Sequence, residues 1–367
     1  MKFTFDRDAM IKEISIAQEI ISTKSAISIL SNVLFIAKEN TLTIKATDIK
    51  VNFETSLPAD IEEEGTTTVL CDKFMGILNS LPSGEIEFVQ NDISVVIKPT
   101  NKKVRFQLKS IASDKFPEFA SEENVPYFEV PLSEFKEMIT ETIFAVSDDE
   151  TRFFMNGVYI EKKEENLLMV ATDGKRLSYI SKPVCQNVSN FEPAIIPPKV
   201  LNIILKRAPS EGEISIAIVD KMMFFKYGNY HFTSVLIDGQ FPNYQRVIPE
   251  SQDHKFELDR KDLLDALKRV ALLVEQKSRR VYFALSSGML TITSQESEIG
   301  TAKEEIPCQY EGADTTIALN YLYIEEPMKV ISTERITFEF SEGMRAMTLK
   351  PEPAADFFHI IMPMQME

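Results

Sequence analysis

The sequence predicts an α+β protein built from three tandem copies of one domain, each with two helices over two small antiparallel sheets. Three observations lead there. Phe3-Thr4-Phe5, Phe128-Glu129-Val130 and Phe256-Glu257-Leu258 open like segments, 125 and 128 residues apart (128 − 3 and 256 − 128). Each opening runs into a helix with a single apolar face. After each helix come strand-like runs: Asn32–Ile36, Asn156–Ile160 and Arg280–Ala284, then Leu42–Asp48, Leu168–Asp173 and Leu290–Ser294. Three like domains in a row form an arc, and an arc invites closure into a ring.

The first helix of each copy carries a 3.6-residue stripe. Met10, Ile14, Ala17 and Ile21 form the first; Leu132, Phe135, Ile139, Ile143 and Val146 the second; Leu263, Leu267, Val270 and Val274 the third. Asp6, Ser133 and Asp259 supply N-cap oxygens near the helix starts. A second helix is expected over Asp72–Leu81, Pro198–Ala208 and Asn320–Ile331, with Asp72 and Asn320 as caps and Pro198 in a first turn. Three strands should follow each: Ile86–Val89, Ile93–Lys98 and Val104–Ser110; Ile214–Val219, Met222–Tyr227 and His231–Ile237; Ile336–Phe340, Ala346–Lys350 and His359–Met364. Linkers fall near Glu118–Tyr127 and Arg246–Lys255, giving domains 1–120, 128–246 and 256–367.

Composition narrows the class. At 367 residues and 44% hydrophobic the chain can fill several cores. Cys71, Cys185 and Cys308 are scattered one per repeat, which argues against a disulfide framework or a structural zinc site and for a reducing compartment. The opening Met1–Asp8 places charges where a signal peptide needs an apolar run, and no stretch reaches the ~20 apolar residues of a membrane span. A cytoplasmic protein with no membrane association is expected. The net charge of −16 runs against simple nucleic-acid binding, unless basic residues gather on one inner surface.

Catalytic signatures are missing. With 12 glycines there is no phosphate-cradling loop. His231, His254 and His359 are far apart, and a lone strand histidine is usually structural. Asp148-Asp149-Glu150 reads as a solvated turn rather than a magnesium site. No active site, metal or cofactor is expected.

At Ala171-Thr-Asp-Gly-Lys-Arg-Leu177, Ile237-Asp-Gly-Gln-Phe-Pro-Asn-Tyr-Gln-Arg-Val247 and Ile360-Ile-Met-Pro-Met364 the chain closely resembles the bacterial sliding clamps, the β subunits of the replicative DNA polymerase III. The resemblance runs from Met1 to the C-terminus. It implies three DNA-clamp domains per chain and a head-to-tail homodimer, a six-domain ring threaded by double-stranded DNA. Contacts to a sliding duplex should be phosphate-directed and non-specific. Lys24, Lys73, Lys199, Lys206 and Arg207 are the candidates for that lining, and Arg279 and Arg280 are further ones.

The resemblance also implies a pocket for short Gln-led, Leu/Phe-ended peptides of the replicative polymerase, the clamp loader, and repair and translesion polymerases. The matching positions are Arg152, Phe154, Met155, Thr172, Gly174, Lys175, Arg176, Leu177, Pro242, Arg246, Val247, Tyr323, Ile360, Met362 and Met364. Methionines suit a pocket that serves many partners, and Met362 and Met364 should share one face of a terminal strand. The family's subunit boundary falls on Phe106 and Leu108, on one face of a strand, and on Leu272 and Leu273, expected on the first helix of domain three. Glu298, Glu304 and Glu305 could pair across it with cations such as Lys73.

Three positions depart from the family. Lys175 stands where histidine is common, Gln365 where arginine is frequent, and Ser28 where proline usually precedes Ile-Leu. Two other classes remain open on residues alone: a metal-dependent hydrolase assembled from scattered acids, and a peptide-binding ring that never meets DNA.

Overall fold

The computed structural model describes residues 1–21, 28–184, 188, 191–341 and 344–366. Six α-helices lie among the described residues: α1 Arg7–Ile20, α2 Cys71–Ser80, α3 Leu132–Thr140, α4 Pro198–Arg207, α5 Arg260–Val270 and α6 Tyr321–Val330. They come two per repeat. Asp6, Asp259 and Asn320 cap α1, α5 and α6, accepting from the N–H groups of Ala9, Asp262 and Leu322 at 2.8, 2.9 and 3.0 Å.

Some local expectations are corrected. Asp72 and Ser133 are not caps, because α2 starts at Cys71 and α3 at Leu132, which puts both residues inside the first turn. Asp72 instead accepts from the Gln18 amide of α1 at 2.9 Å. The second stripe does not continue as α-helix to Val146. The Thr140 and Thr142 hydroxyls donate back to the carbonyls of Lys136 and Met138, both at 2.7 Å, and α3 gives way to a 3₁₀ turn, Ile143–Ala145. Helix α5 likewise stops at Val270, so Leu272 and Leu273 sit in the 3₁₀ turn Ala271–Leu273 rather than on the helix. The last strand is Phe357–Ile361 and does not reach Met364. Pro363 has no N–H to give a ladder, and the flanking N–H groups of Met362 and Met364 donate to the carbonyls of Lys175 and Ala318 at 2.9 and 2.8 Å.

The sheets are larger than one repeat can make. The chain forms two compact units, residues 1–133, 187–189 and 199–236, and residues 134–186, 190–198 and 237–367, so the middle repeat is divided between them. In the first unit Tyr230–Val235 of the middle repeat pairs with Val51–Pro58 of the first, joining a thirteen-stranded sheet. In the second unit Arg176–Pro183 pairs with Phe357–Ile361, joining an eight-stranded sheet. A separate four-stranded sheet there ends on the edge strand Lys303–Pro307.

Alternating strand faces meet the apolar helix stripes in each core. In the first unit Phe3, Phe35, Phe74 and Phe88 are fully buried, with Phe3 and Phe88 stacked at 4.7 Å. In the second, Phe256 stacks on Phe338 at 4.8 Å. Among the described residues no helix is long and apolar enough to cross a membrane.

Candidate functional site

Helices α1 and α4 come from different repeats and are joined by charge. Lys199, in the first turn of α4, donates from Nζ to the Ile20 carbonyl at 2.6 Å and to Asp48 Oδ2 at 2.5 Å. At the other end of α4, Lys206 Nζ and Arg207 Nε donate to Glu19 Oε1 at 2.8 and 2.9 Å, and Arg207 Nη2 donates to the same oxygen. The Lys206 side chain is 64% exposed and that of Arg207 25%. Three of the expected lining cations are thus gathered on α4, each engaged with a carboxylate of the first repeat. Lys73 is exposed in the first turn of α2. Lys24 lies outside the described residues. Arg280 is buried, with Nη1 3.5 Å from Gln295 Oε1, and is removed from the candidates; Arg279 remains exposed.

The peptide-pocket candidates all fall in the second unit. The turn Thr172–Arg176 is built by its own side chains. Asp173 Oδ1 accepts from the N–H groups of Lys175 and Arg176 at 2.8 and 3.0 Å, and Thr172 Oγ1 donates to the Arg176 carbonyl at 2.6 Å. Gly174 adopts φ 87°, which favours glycine, and a Cβ there would only push aside the mobile end of Arg152, 2.9 Å away. Arg152 in turn donates to Asp149 Oδ2 at 2.9 Å.

Arg176 is fixed on every side. Its Nε reaches Asp173 Oδ2 at 3.1 Å, Nη1 pairs with Glu326 Oε2, Nη2 donates to the Phe144 carbonyl at 2.6 Å, and the guanidinium lies 4.7 Å from the Tyr323 ring centroid. Only 10% of the side chain is exposed. Burial and the Asp173 charge push the Tyr323 phenol above its usual value, with Arg176 opposing.

Leu177 and Ile360 face one another across the strand pair and share an apolar cluster with Phe241 and Tyr244, against which Phe154 and Ile248 pack. Pro242 is half-buried beside it, while Arg246 and Val247 are exposed on the 3₁₀ turn Tyr244–Val247. Lys175, Tyr323, Met362 and Met364 line a separate groove of about 920 Å³, which also holds Arg279. Met155 and Thr172 are buried.

Sequence reading passed over Phe241, Tyr244, Asp173 and Glu326. The first three lie inside quoted motifs, where their apolar or capping character was a usable signal; Glu326 carried none.

Phe106 and Leu108 are half-buried on one face of the strand Phe106–Ile111, between exposed Gln107 and Lys109. Leu272 is 80% exposed. Glu304 already holds Arg269 of α5, Nε to Oε2 at 2.9 Å, and Glu305 holds Lys303 at 2.7 Å. Among the described residues no group of three or more His, Cys, Asp or Glu side chains is placed to hold a metal ion.

Residues 1–120, 129–243 and 245–365 match, in turn, the family models of the N-terminal, central and C-terminal domains of the DNA polymerase III beta subunit. The beta sliding clamp of Treponema pallidum is 47% identical over 371 residues, covering all of both chains. A crystal structure of the Pseudomonas aeruginosa DnaN sliding clamp bound to griselimycin superposes with a TM-score of 0.94 at 29% identity, again over all of both chains. One from Bartonella birtlesii, bound to the same compound, gives 0.95 at 28% identity with the same coverage.

Proposed function

The chain belongs to the family of DNA polymerase III beta subunits, and from that premise we propose that it is a DNA sliding clamp, a non-catalytic processivity factor that encircles duplex DNA and tethers the polymerase. One observation carries this reading: all three family domains follow in order along the whole chain, with 47% identity to a beta sliding clamp from end to end. The domains are taken as 1–120, 128–246 and 256–367, and the protein as cytoplasmic.

The ring needs two chains. Two half-satisfied sheet edges suit its closure. Lys303–Pro307 pairs on one side only, and Phe106–Lys109 pairs with Ser94–Ile97 but not with the strand that takes up Ser110 and Ile111. Such edges template pairing with another chain. Exposed Leu272, half-buried Leu273, Phe106 and Leu108 supply apolar area, each leucine worth roughly 1.5–3 kcal/mol when buried. Light scattering should give about twice 41.8 kDa, and changing Leu272 and Leu273 together to Ala should shift the mass towards one chain.

Lys73, Lys199, Lys206, Arg207 and Lys24 would face DNA phosphates. Few contacts and no base readout permit sliding. The cluster around Leu177 and Ile360 would take the Leu or Phe anchor of partner peptides from polymerases and the clamp loader. Arg152 and Arg246 would orient the polar end, and Met362 and Met364 would adapt to sequence differences. Loaded onto nicked circular DNA by its clamp loader, the protein should be retained, and linearising the DNA should release it. Equal retention on both forms would overturn the clamp reading.

A further inference from the structure

Glu19 stands where helix electrostatics disfavour it. It occupies the last turn of α1, whose C-terminal end carries partial negative charge and has no basic residue. A structural staple does not call for it. The same two helices are already joined by Lys199 on Asp48 and the Ile20 carbonyl, and the sheet runs continuously from Val51–Pro58 to Tyr230–Val235. Three N–H donors from Lys206 and Arg207 converge on one oxygen, Oε1. A guanidinium fork with an ammonium beside it is also the donor set that takes a phosphate oxygen.

Resting on the reading that Lys206 and Arg207 face DNA, we infer that Glu19 occupies the site a backbone phosphate takes, and so weakens each DNA contact. The carboxylate is a resident competitor. When DNA passes, a phosphate oxygen replaces Oε1 on the same donors; when it moves on, Glu19 returns. The cations never stand bare, so the contact stays shallow, as free sliding requires. Solvent reaches the position chiefly from the Lys206 side, which is 64% exposed, while Arg207 and Glu19 are 25% and 22% exposed.

The test measures association of the purified dimer with a short mixed-sequence duplex by fluorescence anisotropy across a salt series. It compares wild type, Glu19→Gln, Glu19→Ala and the double change Lys206→Ala/Arg207→Ala. Both Glu19 variants should bind several-fold more tightly. Their slope of log affinity against log salt should be steeper by roughly one to two, as one or two further phosphates are neutralised. The double variant should bind more weakly than wild type. Unchanged affinity and slope in both Glu19 variants, with binding lost in the double variant, would overturn the competitor role while leaving the DNA-facing cations in place. No change in the double variant would overturn the inference together with the placing of these two cations. Release of the loaded wild type from linearised DNA remains the separate check on the clamp itself.

Discussion

Arg207 in one unit and Arg176 in the other use the same guanidinium to opposite ends. Each links the middle repeat to a neighbour: Arg176 opens the strand that pairs with Phe357–Ile361, and Arg207 ends the helix that meets α1. Arg207 is a quarter exposed, shares one carboxylate oxygen with Lys206 and otherwise reaches only the Ser15 carbonyl, at 3.4 Å. Arg176 is almost covered and spends its donors on two carboxylates and a carbonyl, with an aromatic ring against its face. The difference is one of desolvation. An ion pair that water reaches contributes little and exchanges easily. One removed from water cannot lose a member without stranding the other. The first arrangement suits a contact that must be made and broken along a duplex. The second suits the rigid wall of a peptide site.

Breaking the buried arrangement should show the largest effect. Arg176→Ala strands the largely covered Asp173, leaves Glu326 to water and removes the stack on Tyr323. It should cost about 3 kcal/mol in urea unfolding, towards the low end for a mostly buried pair, and weaken peptide binding in anisotropy. A loss below that of Arg207→Ala would reverse the comparison. Next comes His359→Ala, within the same strand pair. His359 Nδ1 lies 3.0 Å from Ser178 Oγ and Nε2 lies 3.4 Å from Glu141 Oε2, all three side chains being buried. Leaving the buried Ser178 hydroxyl without its imidazole partner should cost about 1–3 kcal/mol, read by the same unfolding curves. Arg207→Ala should cost under about 1 kcal/mol, and a drop as large as that of Arg176→Ala would show the α1–α4 pair to be structural.

The smallest effect is a pH dependence. Burial opposes ionisation of Glu19, but the hydrogen bonds and charges of Lys206 and Arg207 outweigh it and hold the carboxyl below its ordinary 4.5. Its contribution to stability is therefore complete above the unfolded value and disappears as pH falls through the folded one. Any stability difference between wild type and Glu19→Gln should be constant near neutrality and close below about pH 4.5. A difference that persists at lower pH would mean that the pair does not depend on the ionised carboxylate.

What the sequence showed and hid divides along the same line. The helix stripes and many of the hairpin strands were legible because their signals are local: Met222–Tyr227 is a largely apolar run set off by Asp220-Lys221 and Gly228-Asn229. The strands Val51–Pro58 and Arg176–Pro183, which join the repeats, were missed. They carry Asn52, Glu54 and Ser56, or Arg176, Ser178 and Lys182, among their apolar residues, and they find partners far along the chain. The site behaves likewise. Arg176 and Leu177 stand in a recognisable motif, yet Glu326 is 150 residues from the arginine it fixes. Lys206 and Arg207 were read as cations on a helix face; Glu19, 187 and 188 residues earlier, was invisible to any local pattern. Helix ends were misjudged where Thr140 and Thr142 turned their hydroxyls back on the chain.

The sheet shared between Arg176–Pro183 and Phe357–Ile361 also decides where this protein can be cut. A fragment stopping near residue 246 would keep the first strand and lose its neighbour. That leaves a row of bare peptide N–H and C=O groups beside Leu177 and Ile180, which are buried in the intact chain. A naked edge of that kind recruits other chains. The repeats written in the sequence are therefore not separable pieces, and fragments made at their borders should precipitate or swap strands rather than fold alone.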